Sequence, residues 1–106
     1  MQFAVLASTV FAAIGLVKAI DYRLLYAIPA GDTMAQFTTD FQNTCSTWAP
    51  AEGAGLTFRF AFIRPGDYRG ENTDTEALIY CTWEDGATVT AFTEDVAESL
   101  EATWLP

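Results

Sequence analysis

The pair of cysteines, Cys45 and Cys81, constrains this chain most, because each lies in a segment whose periodicity says which way it points. Cys45 belongs to the series Met34, Phe37, Phe41, Cys45 and Trp48, spaced by three, four, four and three residues. That spacing places all five on one face of an α-helix. Cys81 lies in ALIYCTW, residues 77–83, where it shares one side of an alternating strand with Ile79 and Trp83. Both apolar faces need covering, and covering each with the other brings the two sulfurs together across a helix-on-sheet core. Closing the chain between them stabilises the fold by about 4 kcal/mol through the entropy of the unfolded state. For a small domain that decides whether it folds at all.

Other uses of the cysteines meet chemical obstacles. A thiol nucleophile works with a base, usually histidine, and the chain has none. A zinc site needs about four nitrogen, sulfur or carboxylate ligands, and two separated cysteines are a poor start. Unpaired or intermolecular thiols remain the alternative to an internal bridge.

The compartment comes from the first residues. MQFAVLASTVFAAIGLVKA, residues 1–19, is apolar from Phe3 to Val17 and ends in Val17-Lys18-Ala19. This pattern predicts a secretory signal peptide cleaved after Ala19, too short in its apolar run to span a bilayer. Secretion favours disulfide formation. It leaves residues 20–106 as a single small disulfide-stabilised domain.

The whole chain carries a net charge of −9, and removal of Lys18 leaves Arg23, Arg59, Arg64 and Arg69 against fourteen Asp and Glu. Such a chain repels phosphate backbones, which excludes sequence-independent nucleic-acid binding. Its acidity also opposes attraction to anionic lipid. A protein or cell-surface target fits better, and the charge doubles as a solubility device.

Along the chain, residues 21–28 alternate as a strand with Tyr22, Leu24, Tyr26 and Ile28 inward. Thr33-Met34-Ala35-Gln36 has the form of a capping box, with Asp32 adding favourable charge at the helix start. Ala49-Pro50 is expected to close that helix, and residues 52–55 to form a flexible connection. LTFRFAFI, residues 56–63, reads as a strand with Leu56, Phe58, Phe60 and Phe62 inward and Thr57, Arg59 and Ala61 outward. A polar loop leads to residues 77–83, and Asp85-Gly86 predicts a two-residue hairpin turn into residues 87–92. Thr93 caps a last helix whose Val96, Leu100 and Trp104 face inward, with Glu94, Asp95, Glu98 and Glu101 outside. The order β-α-β-β-β-α predicts an α+β two-layer sandwich: a mostly antiparallel sheet of about four strands with both helices on one face.

Catalytic signals are weak. Fourteen acids allow many carboxylate pairs, but none is singled out by spacing, so no catalytic residues, no metal and no cofactor are assigned. Asn72, Asp74 and Glu76 alternate like calcium ligands without the central glycine and distal glutamate of a calcium-binding hand. Neither Asn43-Thr44-Cys45 nor Asn72-Thr73-Asp74 is an N-glycan acceptor. The sharper candidate is the sheet face turned away from the helices, which by these assignments displays Arg23, Leu25, Thr57, Arg59, Leu78, Tyr80, Thr82 and Val89. Arg64 and Arg69 stand in or beside the loop at its end. Arginine with aromatics is the composition enriched at protein interfaces.

The MQF start, the leader ending Val17-Lys18-Ala19, the acidic domain and the cysteine-bearing helix facing a cysteine-bearing strand resemble fungal small secreted proteins. The element order is similar to killer-toxin-like effectors with a ferredoxin-type sandwich. The resemblance implies a secreted, extracellular protein of virulence or competition, acting on a host or competing microbe by binding, with no stable membrane insertion. The other classes to weigh are a small secreted toxin or antimicrobial protein and a small carboxylate-dependent hydrolase.

Overall fold

The strand containing Cys81 organises the whole sheet. In a computed structural model that describes residues 23–106, this strand, β3 (Glu76–Asp85), is the longest. The other elements, numbered along the chain, are β1 (Leu24–Ala27), α1 (Met34–Ser46), α2 (Ala49–Gly53), β2 (Thr57–Pro65), β4 (Thr88–Ala91), α3 (Thr93–Ser99) and β5 (Thr103–Trp104). The expected leader, residues 1–19, and the start of the expected first strand lie outside the described residues.

All pairings are antiparallel. β2 runs along one edge of β3, while β1 and β4 share the other edge end to end. β1 takes Glu76 to Ile79, β4 takes Thr82 to Asp85, and β5 adds to the far side of β1. Cys81 falls in the gap between β1 and β4, where a buried strand would lose its ladder partners. Both of its backbone groups are nevertheless satisfied. The Thr93 hydroxyl accepts the Cys81 N–H at 2.9 Å, and the Phe92 N–H donates to the Cys81 carbonyl at 2.8 Å. Thr93 thus serves the sheet, with Phe92 at the N-cap position of α3, where the sequence suggests a Thr93 cap.

The core lies between one sheet face and the helices, giving the α+β fold. Ala77, Ile79, Cys81 and Trp83 of β3 are buried against Phe37, Phe41 and Cys45 of α1 and Val96 and Ala97 of α3. Each large apolar side chain taken from water here contributes about 1.5–3 kcal/mol. Cys45 and Cys81 form the disulfide, with Cα atoms 5.8 Å apart. The Trp83 indole N–H donates to the Cys45 carbonyl at 2.8 Å, tying the end of α1 to the same strand.

Four local readings change. The Thr33 hydroxyl accepts the Gln36 N–H as a cap should, but the Gln36 side chain donates to Asp40 and the Thr33 N–H goes to Asp32, so the box is half formed. Pro50 opens α2 instead of only closing α1: it stands in the first turn, where its missing N–H costs nothing. The hairpin turn lies one residue later than Asp85-Gly86. Asp85 pairs with Thr88, so Gly86 and Ala87 form the turn, and the positive φ of 60° falls on Gly86, as a II′ turn requires.

The last helix is shorter than its apolar spacing suggests. Glu101 adopts a left-handed φ of 64°, its N–H bonds to the Glu98 carbonyl, and the Ala102 N–H reaches the Ala97 carbonyl. These two bonds are a Schellman stop. The chain then turns into β5, where Trp104 pairs with Tyr26 and is 56% exposed instead of facing the core.

The largest difference is in β2. The register shifts between Phe58 and Phe60, so Arg59 is the extra residue of a β-bulge. A one-residue slip exchanges the two faces of a strand. Phe58 stays on the helix side, 5.6 Å edge-on to Trp83. Beyond the bulge Ala61 and Ile63 oppose Cys81 and Ile79, while Phe60 and Phe62 oppose Thr82 and Tyr80 on the outer face. Volume explains the choice: the disulfide occupies the space over this part of β2, with the Cys45 sulfur 3.8 Å from the Phe60 carbonyl. Alanine fits beside that bridge where phenylalanine would overpack it.

Candidate functional site

The bulge changes what the outer sheet face carries. Of the residues the sequence places there, Arg23, Arg59 and Tyr80 are brought together, and two phenylalanines expected in the core join them. The Arg59 guanidinium stands 4.6 Å from the centroid of Phe60, and that of Arg23 stands 5.6 Å from the centroid of Phe62. These are cation–π distances. The Phe60 and Tyr80 rings lie 5.6 Å apart at a tilt of 54°. Arg59 also faces Glu84, Nε to Oε1 3.7 Å, in an exposed pair that adds orientation more than stability.

Beside the Arg59–Phe60 pair lies a depression of about 440 Å³, lined by Arg59, Phe60, Tyr80, Val89 and Ala91. Its walls come from three adjacent strands, so the sheet fixes their spacing. Phe60 is 38% and Val89 45% exposed. The floor is closed: Thr82 is fully buried, with its hydroxyl 3.5 Å from the Phe60 carbonyl.

The opposite end of the face is covered. Leu78 is fully buried, and Tyr68 of the β2–β3 loop donates its hydroxyl to the Arg23 carbonyl at 3.2 Å, which carries the loop across β3. Arg64 shares the outer face by register but turns toward this loop, with Nη2 3.4 Å from the Asp67 carbonyl. Arg69 is exposed within the loop, apart from the depression.

Asp67 organises the loop. Its carboxylate accepts the Arg69 and Glu71 N–H groups, both at 2.9 Å, and the Asn72 side-chain amide at 3.3 Å. Chiefly the Glu71 amide, with Arg69 and Asn72 adding, holds its carboxyl below the ordinary aspartate range. This arrangement replaces the calcium-like alternation suggested by Asn72, Asp74 and Glu76. Asn72 turns its amide to Asp67, adopts a φ of 60°, and its carbonyl accepts the Thr75 and Glu76 N–H groups. Among the described residues no group of three or more His, Cys, Asp or Glu is placed to hold a metal ion.

The helix layer has the opposite character. Glu94 and Asp95 lie in the first turn of α3, and burial, followed by the charges of Glu94, Glu98 and Asp95, pushes the Tyr26 phenol above its ordinary value. Among the described residues no helix is long and apolar enough to cross a membrane.

Phe60 and Phe62 are the site residues that sequence reasoning missed. Strict alternation put them with Phe58, and the available signal was steric: Ala61 is the small residue of the run. No family model, no curated protein and no solved structure matches this chain.

Proposed function

We propose that this chain is a secreted, non-enzymatic interaction protein, a fungal effector of the killer-toxin-like kind, that binds a host or competitor target through its outer sheet face. One observation carries the reading: two arginines stacked on two outward-facing phenylalanines of one strand, one of these pairs, Arg59 on Phe60, standing with Tyr80 at a depression walled by three strands. An aromatic surface of this sort gains free energy when docking removes its water, whereas a charged one carries a desolvation cost, and arginine and tyrosine anchors concentrate binding energy. The local positive charge contrasts with the net −9 of the chain and directs the face toward acidic or aromatic partner surfaces. The core disulfide supports an extracellular working place, where such bridges persist.

The test is comparative capture. Wild-type protein and two separately made variants, Arg59→Glu and Tyr80→Ala, are immobilised and exposed to extracellular and host extracts, after circular dichroism has shown that all three fold. The reading expects a component that the wild type retains and both variants lose. Identical retention by all three proteins would sink it.

A further inference from the structure

Strand β2 ends the sheet order β2-β3-β1-β5, so one of its edges meets no other strand among the described residues. Which backbone groups that edge presents follows from Cys81. Its N–H and carbonyl both point to the β1/β4 side, bound by Thr93 and Phe92. Cys81 therefore turns neither group toward β2, and by antiparallel geometry neither does Ala61 opposite it turn its own toward β3. The same holds for Ile63 opposite Ile79. The N–H and C=O groups of Ala61 and Ile63 thus face outward along the free edge, and no backbone or side-chain bond among the described residues takes them.

The usable part of this edge is short and bounded. The Arg59 bulge interrupts it on one side, and Pro65, which has no N–H, ends it on the other. Residues 60–64 remain, centred on Phe62. We propose that this edge pairs with the same edge of a second copy, antiparallel about a two-fold axis at Phe62.

The register is determined. Directly opposed residues must lie on the same sheet face, and only the pairing of Ala61 with Ile63 of the other copy, in both directions, uses both free N–H groups of each chain. It forms four backbone hydrogen bonds. The Phe62 side chains meet as a close non-hydrogen-bonded pair, and Phe60 of each copy faces Arg64 of the other, an aromatic–cation pair. No acidic residue occurs in the TFRFAFIRP strand, and no like charges are directly opposed in this register. A self-complementary edge of this kind is what a closed two-fold dimer requires. The inference is independent of the proposed function, since it concerns the sheet's edge and not its face. Pairing would join two outer faces into one continuous surface.

Five paired residues make a small interface, so the dimer is weak, populated at about 0.5 mM and dissociated by about 5 µM. Two chains of net charge −9 repel, so salt strengthens it. Sedimentation of the oxidised protein across this range, with amide exchange followed by NMR, tests the proposal. The expected result is a monomer–dimer equilibrium in which the Ala61 and Ile63 amides gain protection with concentration. The amides of Phe62 and Arg64, held by β3, should be protected at every concentration. Ile63→Pro removes one outward N–H, and Phe62→Lys sets two ammonium groups on the axis; each should raise the dimer Kd by at least about tenfold. If the proline variant does not fold, the lysine variant decides. A monomer at 0.5 mM and high salt would overturn self-pairing and leave the edge to a strand of another protein. So would a dimer indifferent to Phe62→Lys, or one whose Ala61 and Ile63 amides exchange at a constant rate.

Discussion

Replacing both Cys45 and Cys81 by alanine removes the bridge that joins α1 to the middle of the sheet. The two residues are 36 apart in sequence. Releasing a loop of that length returns conformational entropy to the unfolded chain worth about 4 kcal/mol. The alanines also delete two sulfur atoms from a site with no exposed surface, adding about 1 kcal/mol each for lost packing. Domains of this size have a total stability of about 4–12 kcal/mol. The double variant should therefore be close to unfolded at room temperature. Urea titration followed by far-ultraviolet circular dichroism reads this directly. With a slope near 1 kcal/mol per molar urea, losing about 6 kcal/mol lowers the midpoint of the double variant by about 6 M, and losing the cross-link alone lowers it by about 4 M. Reduced wild-type protein provides the necessary comparison, because it loses the cross-link but keeps both sulfur atoms. The alanine variant should be the less stable of the two by about 2 kcal/mol. A midpoint less than about 1 M below the oxidised wild type in both cases would refute the reasoning. It would mean that residual contacts in the unfolded chain already keep the two cysteines near one another without the bridge.

Other expectations follow from single contacts. Thr93→Val keeps the side-chain shape but leaves the buried Cys81 N–H without an acceptor, which should cost about 1–3 kcal/mol in thermal or urea unfolding. Glu101→Gly relieves a left-handed residue at the end of α3 and should stabilise by about 1 kcal/mol, read as a small rise in Tm. The Tyr26 phenol is held in its neutral form, so its stabilising contribution is complete below the unfolded value of about 10 and is lost as pH rises through the higher folded value. Tyr26→Phe should flatten that alkaline decline in stability-versus-pH curves. Asp67 has the opposite sign: its lowered pKa makes its contribution present above the unfolded value of about 3.9 and lost as pH falls through the folded one. The protection of the β2–β3 loop amides, taken relative to their intrinsic exchange rate at each pH, should fall over that acid range in wild type and be already low in Asp67→Ala.

Residues that define an element by their own spacing were readable in advance. The stripe of Phe37, Phe41 and Cys45, the alternation of Ile79, Cys81 and Trp83, and the Thr33 cap all depend on neighbours within one turn or two residues. The α+β order and the disulfide follow from them, because two apolar faces carrying one cysteine each have few ways to be buried together. Arg23, Arg59 and Tyr80 were placed on the outer face for the same reason.

What escaped depends on groups far apart in the chain. Whether Phe60 points in or out is decided by the volume left beside the Cys45–Cys81 bridge, a quantity that no window of residues 56–63 contains. The bulge at Arg59 settles that conflict by moving two phenylalanines outward, and the aromatic half of the candidate site exists only because of it. The end of α3 is similar: Val96, Leu100 and Trp104 have helical spacing, but the exposed edge of β1 offers Trp104 and Leu105 backbone partners that a longer helix would forgo. The sequence by itself determined the layers, the cysteine clasp and the polarity of the sheet. The tertiary structure decided which rings face outward and where the chain ends its helices, because those choices balance local periodicity against space and backbone partners that distant segments supply.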